Sequence, residues 1–223
     1  HREELFTSLG EKAGELTSLL NQFDCNTAHT EMDWDLDQSL WVENYTHLFS
    51  DAELSQVLPV IKDFKSELHN YSRLRKSVVH NDLNEHNIIV NSKNHNCISG
   101  LIDFGDAIYT QTINDVAIAL AYTTMELNHP LKASRALLKG YHKFFPLQVE
   151  ELDVLYNALR MRYVVSLTKA KINAKQNPDS DYLQISTAKA WNGLKTWNRI
   201  SPYLAKQHFY QAIAKKDPQL SLL

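Results

Sequence analysis

Apolar residues recur at steps of three and four along most of the chain, which is the period of an amphipathic helix. The clearest stripe runs from Leu54 to Leu68, shortly after Ser50 and Glu53, which have the spacing of a capping box at a helix start. The polar segment 26–37 breaks the pattern and predicts a loop. The helices predicted in this way cover residues 5–23, 40–48, 51–71, 113–127, 131–144, 149–175, 182–197 and 202–215.

The middle of the chain has a different pattern. Short β-branched runs at 78–79, 88–90 and 97–102 are broken by polar residues and predict strands. Residues 91–96 are Asn, Ser, Lys and His, as in a turn between two strands. The sequence therefore predicts a mainly helical α+β fold with a small β-hairpin near its centre. The predicted regions are a first helical part at 1–76, the hairpin region at 77–110 and a second helical part at 111–223.

The composition is that of an ordinary globular protein and argues against several classes of function. Of 223 residues, 43% are hydrophobic and 22% are charged, which suits one large domain or two small ones. The net charge of −3 gives no reason to expect a nucleic acid or an anionic membrane as partner. No apolar run approaches the roughly 20 residues that span a bilayer. Cys25 and Cys97 have neither metal-binding nor redox spacing, so we expect a reducing, cytoplasmic location.

The hairpin region carries two short motifs. The first runs from His80 to Asn87 (HNDLNEHN) and places Asn87 five positions after Asp82, which is the spacing of a kinase catalytic loop. The second begins at Asp103 (DFG) and matches the metal-binding signature of kinases. The two motifs occur in the required order and are joined by a strand, a turn and a strand. Together they indicate phosphoryl-transfer chemistry rather than a solvated loop beside a plain hairpin.

The residue types in these motifs suit that chemistry. Phosphoryl transfer asks a protein mainly to position the reactants and to neutralise charge. Asp82 is the candidate base that orients the acceptor hydroxyl and takes its proton. Mg²⁺ prefers oxygen ligands, and Asn87 and Asp103 offer an amide oxygen and a carboxylate that the hairpin can bring to one ion. His80 is expected to support the loop through its ring nitrogens.

Two further side chains have open interpretations. Asp106 either lines the acceptor site or caps the turn after the second motif, and a cationic amine substrate would favour a carboxylate there. Arg162 lies among apolar neighbours in the middle of a predicted helix and needs a partner. That partner is either a structural carboxylate or the carboxylate of a substrate.

With these motifs the sequence resembles the aminoglycoside phosphotransferase and choline kinase group, which shares the protein-kinase-like fold. A longer pattern is similar to hydroxylysine kinases and to the kinase domains that bacteria fuse to class III aminotransferases. That pattern comprises IDFGD at 102–106, VAIA at 116–119 and AKAW at 188–191. The resemblance covers nearly the whole chain and is strongest from Val78 onward.

The resemblance implies roles and partners. Asp82 would be the catalytic base of a small-molecule kinase, Asn87 and Asp103 would bind Mg²⁺, and ATP or GTP would be the donor. Asp115 matches an acidic residue that braces the catalytic loop from below, although a helix start also favours an acid. The acceptor would be a hydroxyl on a small amine-bearing metabolite, with a hydroxylysine-like amino alcohol favoured over choline, homoserine or an aminoglycoside. A fused aminotransferase would be a further partner in the full-length protein.

The sequence also departs from this family. The Gly-rich loop, strand lysine and helix glutamate that grip the nucleotide are not identifiable before His80. We therefore expect the chain to correspond to the C-terminal lobe of the kinase-like fold, and to transfer phosphate very slowly or not at all by itself. The alternative is a catalytically silent, kinase-like binding or interaction module. The intact set of Asp82, Asn87 and Asp103 argues against that alternative.

Overall fold

The computed structural model describes residues 3–176 and 181–214, and most of them are helical. The helices are α1 Glu3–Leu20, α2 Asp51–Ser72, α3 Ile113–Thr124, α4 Pro130–Phe144, α5 Val149–Gln176, α6 Asp181–Asn198 and α7 Pro202–Ile213. The strands are β1 Lys76–Val79, β2 Ile88–Val90, β3 Ile98–Leu101 and β4 Ile108–Gln111. Every predicted helix except the one at 40–48 is present as an α-helix, and the two strands of the predicted hairpin are present as well. Their ends differ from the prediction by a few residues. The last predicted helical residue, 215, lies outside the described residues.

The strands form two antiparallel pairs that frame the two motifs. β2 pairs with β3 as the predicted hairpin, with Ile88 opposite Leu101. β1 pairs with β4, with Val79 opposite Ile108. The sequence did not predict β4, because it is short and pairs with a strand far away in the chain. This second pairing matters for the site, since it brings the start of the first motif close to the end of the second.

The segment before α2 differs from the prediction. Residues Asn26–Ala28 form a short 3-10 helix and Leu36–Leu48 form a long one, so the predicted loop was wrong at positions 26–28, 36 and 37, and the predicted helix 40–48 begins earlier. The side chain of Asp35 caps this helix by accepting the backbone N–H of Asp37 at 3.1 Å. Leu36 is fully buried. A local cap and one buried side chain therefore order residues whose polar composition predicted a loop.

The predicted capping box at α2 is present. Ser50 donates its backbone N–H to the Glu53 carboxylate at 2.8 Å, and its hydroxyl accepts the N–H of Glu53 at 3.4 Å. The same carboxylate lies 2.7 Å from the ammonium of Lys171 on α5. The cap thus also fastens α2 to α5, the long helix that packs against α2, α3, α6 and α7.

Helices α1 and α4 cross with their backbones in contact. A Cβ atom at Gly10 would lie 1.9 Å from the carbonyl oxygen of Leu137, and one at Gly140 would lie 2.1 Å from that of Thr7. Only glycine permits this approach. None of the helices in the described part of the chain is long and apolar enough to cross a membrane.

Candidate active site

The catalytic-loop segment is held by Asp115, near the start of α3. Its Oδ2 accepts the backbone N–H of His80 at 2.9 Å, and its Oδ1 accepts that of Asn81 at 2.7 Å. Burial raises the pKa of the Asp115 carboxyl, while the two N–H donors act in the opposite direction by stabilising the charged form. Asp115 therefore lies directly under the loop and binds two of its backbone groups.

The ring of His80 connects the first motif to the second. Its Nδ1 accepts the backbone N–H of Asp82 at 3.3 Å, and its Nε2 lies 2.9 Å from the carbonyl oxygen of Ile102. Because Nδ1 is an acceptor, the neutral ring carries its proton on Nε2 and donates it to Ile102. The ring also packs against Phe104, with centroids 4.8 Å apart. Both nitrogens of His80 thus contact the backbone, which is the geometry a supporting role requires.

The carboxylate of Asp82 is held mainly through one of its oxygens. Oδ2 accepts N–H groups from the side chains of Asn84 at 2.8 Å and Asn87 at 2.9 Å. Asn87 also donates to the backbone oxygen of Asp82 at 2.9 Å. Oδ1 lies 3.4 Å from Nη2 of Arg162. The five-position spacing therefore places Asn87 in direct contact with Asp82.

The pairing of β2 with β3 brings Asn87 next to the second motif. Ile102, which precedes Asp103, donates its backbone N–H to the carbonyl oxygen of Asn87 at 3.0 Å. Since the amide nitrogen of Asn87 faces Asp82, its side-chain oxygen is directed away and accepts no hydrogen bond from any described residue. Asp103 is exposed, with a φ of 64°, and its Oδ1 accepts the N–H of Gly105 at 3.2 Å.

These two side chains fit a hard divalent cation. A free amide oxygen and an exposed carboxylate are ligands that Mg²⁺ accepts, and Mg²⁺ takes its remaining ligands from phosphates and water. Among residues 3–176 and 181–214, no cluster of three or more His, Cys, Asp or Glu side chains could hold a metal by itself. A cation bound by Asn87 and Asp103 would therefore depend on phosphate oxygens to complete its coordination.

A cavity of about 590 Å³ opens beside Asp82, and we call it the Asp82 cavity. Its volume is in the range of small-molecule binding sites. The aromatic and apolar side chains of its wall are Trp34, Ala121, Tyr122, Met125, Tyr163, Ala170 and Ala190. Its charged side chains are Asp82, Glu85, Asp106, Arg162, Lys169 and Lys189. The loop that carries the first motif, α3, α5 and α6 thus enclose a space beside Asp82 that is large enough for a small molecule.

Arg162 reaches the cavity from α5 and is almost fully enclosed, with 2% of it exposed. Its Nη1 donates to the carbonyl oxygen of Trp34 at 3.1 Å. The rings of Trp34 and Tyr122 lie 4.9 and 5.5 Å from its guanidinium carbon. Among the described residues, the carboxylate that pairs with it is that of Asp82, at 3.4 Å.

Asp106 lies on the wall of the Asp82 cavity. Burial raises the pKa of its carboxyl, and the negative charge of Asp82 raises it further, while the guanidinium of Arg162 acts in the opposite direction. This position is compatible with a residue that lines an acceptor site, and the role of Asp106 stays a prediction.

Sequence reasoning did not single out Trp34, Tyr122 or Asn84 as site residues. Trp34 lies in a polar segment and Tyr122 in a buried helix, and both meet Arg162 only through the tertiary fold. The signal available for Trp34 was a large aromatic residue between two aspartates in a segment with little other apolar character. Asn84 lies inside the first motif, but the five-position spacing that indicates a kinase loop involves only Asp82 and Asn87.

Residues 1–151 match the model of the phosphotransferase enzyme family, and the chain belongs to that family. It is 31% identical to hydroxylysine kinase of Xenopus laevis over 173 residues, which cover 73% of this chain and 46% of that protein. It is 25% identical to hydroxylysine kinase of Mus musculus over 227 residues, which cover 96% of this chain and 60% of that protein. The chain therefore spans only part of the length of these relatives.

Solved structures show the same fold. A choline/ethanolamine kinase family protein from Mesorhizobium loti superposes with a TM-score of 0.64 at 13% identity, covering 92% of this chain and 65% of that one. A microcompartment-associated aminopropanol kinase gives a TM-score of 0.63 at 16% identity, with 96% and 65% covered. Amicoumacin kinase in complex with AMP-PNP and Ca²⁺ gives 0.61 at 18% identity, with 90% and 60% covered. The predicted kinase-like fold is confirmed.

Proposed function

We propose that the protein containing this chain transfers the γ-phosphoryl group of a nucleotide to a hydroxyl of a small amine-bearing metabolite. One observation carries the proposal: the Asp82 carboxylate faces a cavity for a small acceptor and also contacts Asn87, the candidate metal ligand. Hydroxylysine or a related amino alcohol is the favoured acceptor, and choline, homoserine and aminoglycosides are the other candidates. The names of the relatives support this class of acceptor.

The proposed reaction uses few protein groups. Asp82 orients the acceptor hydroxyl and takes its proton while the hydroxyl oxygen forms a bond to the γ-phosphorus. The bond between that phosphorus and the bridging oxygen breaks, and a nucleoside diphosphate leaves. Asn87 and Asp103 would hold Mg²⁺, which neutralises charge on the phosphate oxygens. His80 and Asp115 keep the loop in place through the backbone contacts described above.

The charges of the Asp82 cavity favour an amine on the acceptor. Each of its three lysine and arginine side chains contacts a protein carboxylate, and the pairs are Arg162–Asp82, Lys169–Asp33 and Lys189–Glu126. Glu85 and Asp106 also line the cavity, and neither forms an ion pair within 4 Å among the described residues, although the charge of Arg162 acts on Asp106 from a greater distance. The charge left unpaired in the cavity is therefore negative, and an ammonium group on the acceptor would compensate it.

The donor is ATP or GTP, and the groups that select between them are not identifiable in this chain. A fused aminotransferase and a cytoplasmic location stay predictions from the sequence. Because the chain spans 46 to 60% of the two hydroxylysine kinases described above, the activity is proposed for the complete protein that contains it.

The test is to incubate the complete protein with Mg²⁺, ATP or GTP and each candidate acceptor, and to detect the phosphomonoester by ³¹P NMR. We expect one amino alcohol to be phosphorylated, and Asp82→Asn to lower turnover about 10²- to 10⁴-fold, the usual contribution of a general base. Asp24→Asn, at an exposed site outside the cavity, serves as the control. No heat of binding with either ATP or GTP in calorimetry, in the presence of Mg²⁺, would instead support the silent binding module.

A further inference from the structure

The two oxygens of the Asp82 carboxylate have different surroundings. Oδ2 accepts two short hydrogen bonds from the amides of Asn84 and Asn87, which come from the same loop. Among the described residues, Oδ1 receives only the 3.4 Å contact from Nη2 of Arg162, which comes from α5, 80 positions later in the chain. The side chain of Asp82 is 22% exposed, and it lines the cavity. An acceptor hydroxyl therefore finds Oδ1 less occupied than Oδ2.

The guanidinium of Arg162 is fixed by groups that are not part of the catalytic loop. Nη1 donates to the carbonyl oxygen of Trp34 at 3.1 Å, and Nη2 lies 3.5 Å from the hydroxyl of Tyr122. The guanidinium carbon also lies over the rings of the same two residues, which adds cation–π attraction. Nε is buried and has no hydrogen-bond partner among the described residues. Burying this cation carries a desolvation cost, and the carboxylate it contacts in return is that of Asp82.

The segment that carries the Trp34 carbonyl is itself anchored on both sides. Asp33 pairs with Lys169 on α5. Asp35 accepts the hydroxyl of Thr110 on β4 at 2.7 Å. The oxygen that receives Nη1 of Arg162 is therefore tied to two elements of the fold. Two nitrogens of one planar guanidinium reach that oxygen and Oδ1 of Asp82, a fixed spacing of donors that the compact ammonium of a lysine does not reproduce.

The same enclosure argues against a substrate carboxylate as the partner of Arg162. With 2% of the residue exposed, little of the guanidinium surface faces the cavity, and its Nη atoms already contact Trp34, Tyr122 and Asp82. Its contact with Oδ1 is longer than the 2.7–2.9 Å usual for charge-assisted bonds. This geometry suits a guanidinium that orients the Asp82 carboxylate. Oδ1 can still accept a hydrogen bond from a further donor.

We propose that Arg162 is a positioning residue that holds Oδ1 of Asp82 toward the acceptor hydroxyl, so that this oxygen receives the proton. The inference rests on the proposed function. It assigns Oδ2 to the Asn84 and Asn87 amides, and Oδ1 to the reaction. Arg162 acts through Asp82 and does not bind the acceptor.

The test is a double-mutant cycle in the complete protein, with kcat and the acceptor KM measured for Arg162→Gln, Arg162→Lys, Asp82→Asn and the double variant Asp82→Asn/Arg162→Gln. We expect Arg162→Gln to lower kcat by about 10²-fold with an acceptor KM within about 3-fold of wild type, since it disturbs orientation. Arg162→Lys should recover only a small part of that loss. The double variant should be no slower than Asp82→Asn alone, because both changes remove the same function.

Arg160→Gln is the matched control. Arg160 is a buried arginine two positions away on the same helix, paired with Asp63 at 3.1 Å and outside the Asp82 cavity. The Arg160→Gln variant should unfold at a lower temperature and keep the kcat of the wild type. The comparison separates the loss of a buried cation from the loss of the orientation of the Asp82 carboxylate.

Three results would overturn the positioning role. The first is a large rise in acceptor KM with unchanged kcat, which would make Arg162 a substrate-binding residue. The second is an additive loss in the double variant, and the third is full activity in Arg162→Lys. Absence of transfer in the wild-type protein would instead reject the proposed function on which the inference rests, so the two failures are distinguishable.

Discussion

The carboxylate of Asp115 accepts the backbone N–H of Asn81 at 2.7 Å, and Asn81 has a left-handed backbone conformation with a φ of 64°. Asparagine tolerates this conformation better than most residues. The neighbouring N–H of His80 points to the other oxygen of the same carboxylate. One buried side chain of α3 thus fixes the direction in which the chain enters the loop that carries Asp82.

Replacing Asp115 tests how much this contact contributes. Asp115→Asn keeps one acceptor oxygen but turns an NH₂ group toward the second backbone donor. We expect the free energy of unfolding to fall by about 1–3 kcal/mol, the cost of an unsatisfied buried group. We expect kcat of the complete protein to fall about 10²-fold, because Asp82 loses its position. Urea unfolding and steady-state kinetics measure the two effects, and unchanged kcat in a folded variant would refute the role in the site.

The proposed metal site predicts a change in Mg²⁺ dependence. In Asp103→Asn, the Mg²⁺ concentration that gives half-maximal turnover should rise at least about 10-fold, a loss that even second-shell changes at metal sites produce. Asn84→Ala is the control. Like Asn87, Asn84 donates to Oδ2 of Asp82, but it is not a proposed metal ligand. This variant should lower turnover and leave the Mg²⁺ requirement unchanged. Equal Mg²⁺ curves for wild type and Asp103→Asn would remove Asp103 from the site.

The unpaired carboxylates of the cavity predict a charge-dependent acceptor KM. Asp106→Asn should raise the KM of an amine-bearing acceptor about 10-fold or more, the scale of one charge-assisted hydrogen bond. The matched control is an uncharged alcohol of the same size, whose weak phosphorylation should change little. If both acceptors lose affinity equally, Asp106 shapes the cavity and does not recognise the amine.

Asp35 predicts a pH-dependent difference in stability. Burial raises the pKa of its carboxyl in the folded protein, so the folded state binds the proton more tightly than the unfolded state. The stability gained from this carboxyl is therefore present at acid pH and is lost as the pH rises above about 3.9 and through the raised pKa. Asp35→Asn keeps an acceptor for Thr110 without the charge. Its free energy of unfolding relative to wild type should therefore be higher at pH 7.5 than at pH 4.5.

Urea unfolding of both proteins at the two pH values measures that difference. Asp35→Ala should lose about 1–3 kcal/mol at both, because Thr110 and the N–H of Asp37 lose their acceptor. A difference between wild type and Asp35→Asn that does not change with pH would show that the folded state does not raise this pKa.

The contact between α1 and α4 predicts that glycine positions differ in tolerance. Gly10→Ala places a methyl group against the Leu137 backbone and should lower the free energy of unfolding by about 1–3 kcal/mol or more, as overpacking does. Gly100→Ala meets only the Cβ atom of Ile89 at 3.9 Å and should be nearly neutral for packing. Thermal unfolding of the two variants checks this, and equal midpoints would mean that the helices can separate without cost.

The sequence predicted the elements that local patterns determine. The apolar stripe and capping box placed α2 at 51–71, against Asp51–Ser72 in the structure. The β-branched runs and the Asn-rich turn predicted the β2–β3 hairpin. This pairing is also local, because a short turn between two strands determines which residues face each other. Asp82 and Asn87 are in contact because five positions of one loop separate them.

The sequence could not predict contacts that only the tertiary fold creates. β4 is short and pairs with a distant strand, so its own residues carry little signal. Arg162 clearly needed a partner, but its position among apolar neighbours does not say which carboxylate α5 brings it to. Trp34 reaches the site because Asp33 and Asp35 anchor its segment to α5 and β4, which involves side chains far apart in sequence.

The turn between β2 and β3 is stabilised largely by its own residues. Asn91 accepts the backbone N–H groups of Lys93 and Asn94, and Asn94 accepts that of Asn96. The ladder that aligns Asn87 with the second motif lies at the opposite end of the hairpin. Peptide tags or reporter domains could therefore be inserted at the exposed tip while the pairing of β2 with β3 is kept, which makes this turn a suitable position for labelling the protein.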